Sequence, residues 1–302
     1  MSIDLIWLLE EDIFHENQEN LQQAIVDNGD HFASCRYVPC EGGLESPTME
    51  IGDHDRSELV LFGYGSLQMV RYIRSRSKLR NYIDTFCNLD ELRCQYYYPR
   101  LKPFLFQQDY IFLPFGEIAD RKDWLLKHIG AEGQIFIRPD DGYKTFTGKL
   151  VSEETWEKDL ELLGFYDVTP EHLCVLAAPR NVGKEWRFVV GHEYQVDMNP
   201  NLHDHIIAST CYMDKGKLLE QPTNQAPDYV CEFVERVLKE VDYHPDPIWT
   251  IDICESKSGE LYVLEVGSLS CSGYYGCDLP SIVKAVSDLF KAEWADVYQQ
   301  DF

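Results

Sequence analysis

The chain has 302 residues, 44% apolar and 13% aromatic, enough for one large domain or two to three modest ones with a packed core, which excludes a disordered chain. Its formal net charge of -25 works against nucleic acid and anionic membranes as partners, because such a surface repels both unless a local basic patch overrides it.

Alternating strands and helices open the chain. Residues 3–9 read as a strand, 16–28 as a polar-faced helix, 59–63 as a short buried strand and 66–75 as a helix behind it, which predicts a small open α/β domain. The turn Gly63-Tyr64-Gly65-Ser66 follows a strand and opens a helix, so its N–H groups could receive an anionic group. The cations of 71–80 suit either one polar helix face or the wall of a pocket for an anionic ligand. The aromatic, proline-punctuated stretch 96–115 reads as an irregular connection, and 118–129 as a helix.

From about Gly133 the pattern changes. A strand over 134–139 stops at Pro139, and Ser152 can cap a helix to about Leu163 with Glu153 and Glu154 in its first turn. Residues 173–178 read as a buried strand ending at Pro179, and 185–190 with 193–198 as a hairpin about Gly191-His192. A strand over 206–213 runs into an Asp214-Lys215-Gly216 turn, and Pro227 starts a helix to about Val241. A hairpin over 248–266 precedes a last helix started by Asp278 and Pro280. Hairpins interleaved with helices make this part α+β. The ten cysteines form no CxxC pair and match no zinc spacing, so they read as small core residues in a reducing compartment. No apolar run approaches the ~18 residues of a membrane span, and the start of the chain is acidic where a signal peptide is basic. The expectation is a soluble, cytoplasmic protein.

Two carboxylates stand out. Asp252 and Glu265 each sit between apolar neighbours in β-rich runs, separated by Lys257-Ser258-Gly259-Glu260. A two-residue Ser258-Gly259 loop pairing Lys257 with Glu260 sets Asp252 directly opposite Glu265. Opposed Cβ atoms lie about 5 Å apart, and two like charges at that distance repel by roughly 3 kcal/mol at an effective dielectric near 20. A cation between them removes the conflict, and magnesium with nucleotide phosphates is the usual one. The alternative is an exposed edge hairpin carrying two solvated acids.

Three segments accompany the pair. Arg138 ends a strand that enters a Gly- and Thr-containing loop with Lys144, and cations so placed can grip phosphate oxygens while loop N–H groups help; the alternative is a generic surface loop. The strand Val175-Leu176-Ala177-Ala178 ends in a connector that could offer backbone groups to an adenine edge. Glu185 and Arg187 then share one face of a strand, as a functional pair or as a cross-strand ion pair. After Glu265, the tail Gly267-Ser268-Leu269-Ser270-Cys271-Ser272-Gly273 is rich in small polar residues, with Leu269, Tyr274 and Tyr275 of buried type among them.

In this order the segments resemble the ATP-grasp superfamily over about residues 110–290, closest to a subgroup in which arginine replaces the usual first lysine. The resemblance implies an α+β fold of two subdomains with ATP between them, preceded by a small α/β domain, with boundaries at 1–110 and 111–302. It implies that Arg138, Lys144 and Lys149 contact the phosphates, that Val175, Leu176, Ala177, Ala178 and Glu185 line the nucleotide site, and that Asp252 and Glu265 carry Mg2+. Arg187 would stabilise the transferred phosphoryl group, with Lys144 beside it as a second catalytic cation. The implied activity is an ATP-dependent carboxylate–amine ligase working through an acyl phosphate on an amino acid, peptide or protein carboxylate. One departure stands out: many members carry asparagine two residues after the metal glutamate, where this chain has Gly267. That departure keeps open a phosphotransferase or a nucleotide-binding protein without ligase activity.

Substrate positions are expected at Gly65, Ser66, Arg74, Arg100, Ser268 and Ser272. Cations there would suit a carboxylate-bearing donor. His203-Asp204-His205 could start a metal-hydrolase site but lacks a third ligand at a recognisable spacing and reads as a turn, and Cys271 with Cys277 lacks the spacing of a redox pair. Asp252→Asn or Glu265→Gln is expected to abolish turnover with the fold intact, since either removes one of two repelling acids.

Overall fold

The computed structural model describes residues 4–13, 15–38, 43–45, 59–80, 83–165, 168–192 and 204–298. The strand expected at 193–198 and His203 lie outside them. Strands β1 (Asp4–Glu10), β2 (His31–Val38), β3 (Gly43–Glu45), β4 (Leu59–Tyr64) and β5 (Ile83–Asp84) form one sheet in the order β3-β2-β1-β4-β5. Its helices are α1 (His15–Asp27), α2 (Leu67–Ser75) and the short α3 (Ser77–Arg80). Central β1 runs parallel to β2 and β4 and is covered on both faces, which is why it reads as a near-continuous apolar run. Leu5, Trp7 and Leu9 share a core with Leu21 and Ile25 of α1, while Leu8 packs with Met69, Val70 and Ile73 of α2.

The next unit contains α4 (Cys94–Leu101), β6 (Tyr110–Pro114), α5 (Phe115–Ile118), α6 (Lys122–His128), β7 (Gln134–Pro139), β8 (Lys149–Ser152), α7 (Trp156–Gly164) and β9 (Leu173–Ala177). Its antiparallel sheet has the order β6-β9-β7-β8. Ile135, Ile137 and Val151 pack outward against Leu125 of α6 and Trp156, Leu160 and Leu163 of α7, so Arg138 projects from the opposite face.

The third sheet, β12-β11-β10-β13-β14, holds β10 (Val182–Gly191), β11 (His205–Asp214), β12 (Lys217–Leu218), β13 (Ile248–Ser256) and β14 (Leu261–Ser268). Helix α8 (Asp228–Glu240) buries Val230, Phe233, Val234 and Val237 in a core with Trp186, Phe188, Ile251 and Ile253. Alternation therefore turns Glu185, Arg187 and Asp252 to the other face. The last helix, α9 (Leu279–Tyr298), returns to the first sheet, where Ile282 and Val286 join the core of Trp7 and Ser287 donates to Asp30 at 3.0 Å.

Three local expectations are corrected. The stretch 96–115 is ordered: Cys94, Tyr97, Tyr98 and Leu101 are buried at the i, i+3, i+4, i+7 spacing of a helix, and Tyr110–Pro114 is a strand. Pro99 lies in the last turn of that helix, where it costs one hydrogen bond and is outweighed by the buried stripe. The helix expected at 118–129 is broken into α5, a 3-10 turn at Ala119–Arg121 and α6. Ser152 caps the turn before α7 by accepting from Thr155 N at 3.3 Å, and the helix itself begins at Trp156. Among the described residues no helix is long and apolar enough to cross a membrane, and Cys35, Cys87, Cys94, Cys174, Cys211, Cys254 and Cys277 are buried free thiols, as small core residues should be.

Candidate active site

The β13–β14 hairpin sets Asp252 opposite Glu265, as the sequence predicts. The way it does so is different. Ser256 N donates to Glu260 O at 2.8 Å and Gly259, at φ +84°, donates to Ser256 O at 3.0 Å, so the loop has the three residues Lys257, Ser258 and Gly259. Leu264 is then the extra residue of a bulge between the Ile253–Val263 and Asp252–Glu265 pairs, and it restores the register that the longer loop shifts.

Each acid has its own cationic partner. Arg187, paired in register with Asp252, donates to it twice, Nε to Oδ1 at 2.8 Å and Nη2 to Oδ2 at 2.7 Å. Its remaining Nη1 donates to Gly273 O at 2.8 Å, and both side chains of the pair are buried. Tyr212 of β11 stacks on Tyr275 at 4.4 Å, and the guanidinium lies over both rings. Glu265 is half-buried and receives Lys144 Nζ at 3.0 Å and Arg138 Nη2 at 3.5 Å. Three cations from β7, the β7–β8 loop and β10 thus converge on the two carboxylates, and this offsets the repulsion between them. Burial opposes ionisation of Glu265, but Lys144 and Arg138 outweigh it and hold its carboxyl down at about 2.

Glu185 behaves in the opposite way. Burial and the charge of Asp252 push its carboxyl up to about 7, against the hydrogen bond donated by Tyr212. Tyr212 O–H lies 3.3 Å from both Glu185 Oε2 and Asp252 Oδ2 and so bridges the two acids. The Lys144 loop is fixed from behind. Asp141 accepts from Thr145 Oγ1 at 2.9 Å and lies 2.5 Å from His172 Nε2, while Lys144 itself takes a left-handed φ of +51°.

Other expected positions separate from this cluster. Lys149 pairs in register with Ile137, which places it on the face of the small sheet away from Arg138, where it meets Asp159 at 2.8 Å. The backbone of Val175, Leu176 and Ala177 is paired with β6 on one side and β7 on the other, so only the connector from Ala178 onward is outside the ladders. Gly65 N donates to Ser270 O at 2.9 Å and Ser66 N to Glu10 Oε2 at 2.5 Å, so this turn is filled by the protein's own acceptors and does not present its N–H groups to an anion. Arg100 is exposed and bonded to Tyr96 O within its own helix. Arg74 faces a cleft beside the Lys144 loop.

The tail after Glu265 is a built wall. Ser268 and Ser272 are buried, Ser268 Oγ accepting from Cys271 N at 3.2 Å and Ser272 Oγ lying 3.3 Å from Thr250 Oγ1. Ser270 exchanges bonds with Phe86, and Tyr64 donates to Ser272 O at 3.0 Å, so the N-terminal sheet holds the tail in place. Gly267 faces Thr250 across the hairpin; a Cβ there would lie 2.7 Å from Thr250 Oγ1 and 3.2 Å from Ser272 Oγ. A side chain at this position therefore requires Thr250 Oγ1 or Ser272 Oγ to shift. His192, Asp204 and His244 cluster at the far end of the large sheet, with Asp204 accepting from Trp249 Nε1 at 2.7 Å and His244 Nδ1 at 2.9 Å; among the described residues there is no metal-binding group of three such side chains. Sequence reasoning missed Tyr212, Tyr275 and the Asp141–His172 pair. Alternation in β11 could have turned Tyr212 to the site face, but its partners depend on strand order.

Residues 119–285, more than half of the chain, match a family model described as an ATP-grasp domain, family 2 of its clade. No curated protein sequence matches the chain. Among solved structures, the D-alanyl-alanine synthetase A of Vibrio cholerae superposes with a TM-score of 0.63 at 12% identity over 97% of this chain and 99% of that one. A D-cycloserine synthetase gives 0.61 at 12% identity over 95% and 100% of the two chains. The N5-carboxyaminoimidazole synthetase of Staphylococcus aureus gives 0.56 at 13% identity over 95% and 80%. At these identities the likeness is one of fold. Taken with the matched family and the paired-carboxylate site, it establishes that the chain belongs to the ATP-grasp domain family, in the clade that the model describes.

Proposed function

We propose that the chain is an ATP- and magnesium-dependent carboxylate–amine ligase. It phosphorylates a carboxylate to an acyl phosphate and passes the acyl group to an amine, with release of ADP and phosphate. One observation carries this reading: Arg138, Lys144 and Arg187, from three separate elements, converge on the opposed carboxylates Asp252 and Glu265. The two acids offer hard oxygen donors from adjacent strands, a donor set that suits magnesium. Magnesium bound there would neutralise charge on the phosphoryl group in transfer. Arg138 and Lys144 exchange Glu265 for phosphate oxygens, and Arg187, oriented by Asp252 and Gly273 O, stabilises the transferred phosphoryl group. The connector from Ala178 onward holds the adenine edge, with Glu185 on the nucleotide side. We read Arg138 as the counterpart of the family's first phosphate-binding lysine, and its contact with Glu265 supports placing the chain in the arginine-bearing subgroup. Residues 1–110 form the N-terminal domain that closes the substrate pocket, and 111–302 the ATP-grasp domain. Ser268 and Ser272 line the approach of the carboxylate to be activated, that of an amino acid, peptide or protein.

Gly267 favours a second reading, a phosphotransferase or a nucleotide-binding protein without ligation, because glycine offers no side-chain metal ligand at that position. Product analysis separates the readings. ADP and phosphate formed only when carboxylate and amine are both present support the ligase. A single phosphorylated product supports the phosphotransferase, and binding without turnover the non-catalytic protein.

A further inference from the structure

Beside the Lys144 loop an open cleft is lined by Arg71, Arg74, Ser75, Asp90, Arg93 and Tyr143. Arg93 is committed to Asp140, with Nη2 2.9 Å from its Oδ2. Asp141, also at the cleft, is committed inward to His172 and Thr145. Arg71 lies over the ring of Tyr143 at 4.8 Å, and neither Arg71 nor Arg74 has an ion-pair partner among the described residues. Asp90 is the remaining acid of the cleft. Behind it, Asp246 feels the charge of Arg74, but burial pushes its carboxyl up to about 7 and its bond is to Asn88 N. In a chain with a net charge of -25, two adjacent guanidinium groups with no acid paired to them among the described residues are conspicuous, because neighbouring acids would ordinarily recruit them.

Their spacing gives them a shared target. Arg71 and Arg74 are at i and i+3 on α2, on one face of the helix, and each guanidinium can grip a carboxylate by two parallel hydrogen bonds. Tyr143, which supports Arg71, is the immediate neighbour of Lys144. A ligand held in the cleft is therefore in contact with the loop whose lysine reaches the paired acids.

We infer that this cleft is an anchoring site for a substrate bearing a carboxylate besides the one that is activated, an acidic amino acid either free or within a peptide. The inference rests on the ligase reading for the fate of the ligand, but the cleft's preference for carboxylates can be measured without it. Arg71 and Arg74 are binding groups here; neither touches the transferring phosphoryl group. A nucleic acid is disfavoured as the occupant, since the rest of this surface repels a long polyanion.

The test is calorimetric titration of the full chain with glutamate, tetraglutamate and tetraglutamine, each with and without magnesium and a non-hydrolysable ATP analogue. The same titrations are made on Arg71→Ala/Arg74→Ala. The wild type is expected to bind tetraglutamate but not tetraglutamine, and the double variant to bind it at least tenfold more weakly while its affinity for the analogue is unchanged. Glutamate binding as tightly as tetraglutamate identifies a free amino acid, and weaker binding identifies a peptide; both outcomes support the site. Binding of neither acid by the wild type, or equal binding by the double variant, overturns it. Inorganic phosphate displacing tetraglutamate at equal concentration overturns the carboxylate assignment. A wild type that binds tetraglutamate but not the analogue leaves the cleft standing and removes the ligase reading.

Discussion

Asp252 and Glu265 are opposed in register, yet their replacement should have different consequences. Asp252 forms a buried two-point ion pair with Arg187, so Asp252→Asn leaves a buried guanidinium without its counter-charge, at a cost of about 3–5 kcal/mol. The expectation that removing either acid spares the fold is thus corrected for Asp252. Glu265 is more exposed than Asp252 and shares its charge with the exposed Lys144, so Glu265→Gln should cost less, about 1–3 kcal/mol. Denaturant unfolding of the two variants checks the difference, and both should lose turnover. Glu185 supplies a second residue-scale prediction. Its folded carboxyl is raised to about 7 from an ordinary 4.5, so the folded state holds the proton more tightly than the unfolded chain. Its contribution therefore turns unfavourable as pH rises through that window and stays so above it. Glu185→Gln should raise the melting temperature relative to the wild type at pH 8 and leave it near that of the wild type at pH 4. Glu265 has the opposite sign: depressed to about 2, it contributes stability that is present above about 4.5 and lost as pH falls toward 2.

Among the elements, the β13–β14 hairpin shows how far a sequence pattern reaches. Alternation and the turn residues located both strands and the opposition of the two acids. The loop is one residue longer than expected, and Leu264 takes up the difference in a bulge, so the acids remain opposed through two compensating departures. Turn type and bulges depend on how a strand meets its other neighbours, and that information is not local. The same limit applies to Lys149: its chemistry suits phosphate, but the pairing of β7 with β8 puts it on the wrong face. Helix α4 is the reverse case, since its apolar spacing was present in the sequence and Pro99 hid it. Gly267 makes the hairpin's packing testable. Any side chain there must displace Thr250 Oγ1 or Ser272 Oγ, so Gly267→Ala should destabilise by about 1–3 kcal/mol, and Gly267→Asn by at least as much without adding a metal ligand. A shift of the denaturant midpoint checks the first, and magnesium affinity the second.

At the scale of the whole molecule, the N-terminal sheet and the tail after Glu265 act as one wall. Gly65, Tyr64 and Phe86 hold Ser270 and Ser272 by hydrogen bonds, so the N-terminal α/β region fixes the rim of the site although it contributes none of the clustered charges. Arg138 comes from the small sheet and Glu265 from the large one, so their bond joins the two sheets across the site. On the ligase reading, this mutual neutralisation of cations and carboxylates is exchanged for magnesium and nucleotide phosphates. Calorimetric titration with a non-hydrolysable ATP analogue, with and without magnesium, on the wild type and on Glu265→Gln, tests it most directly. Binding that requires magnesium in the wild type, with that dependence lost in the variant, is the predicted result; absence of binding under both conditions, or binding indifferent to magnesium and to Glu265, would contradict it.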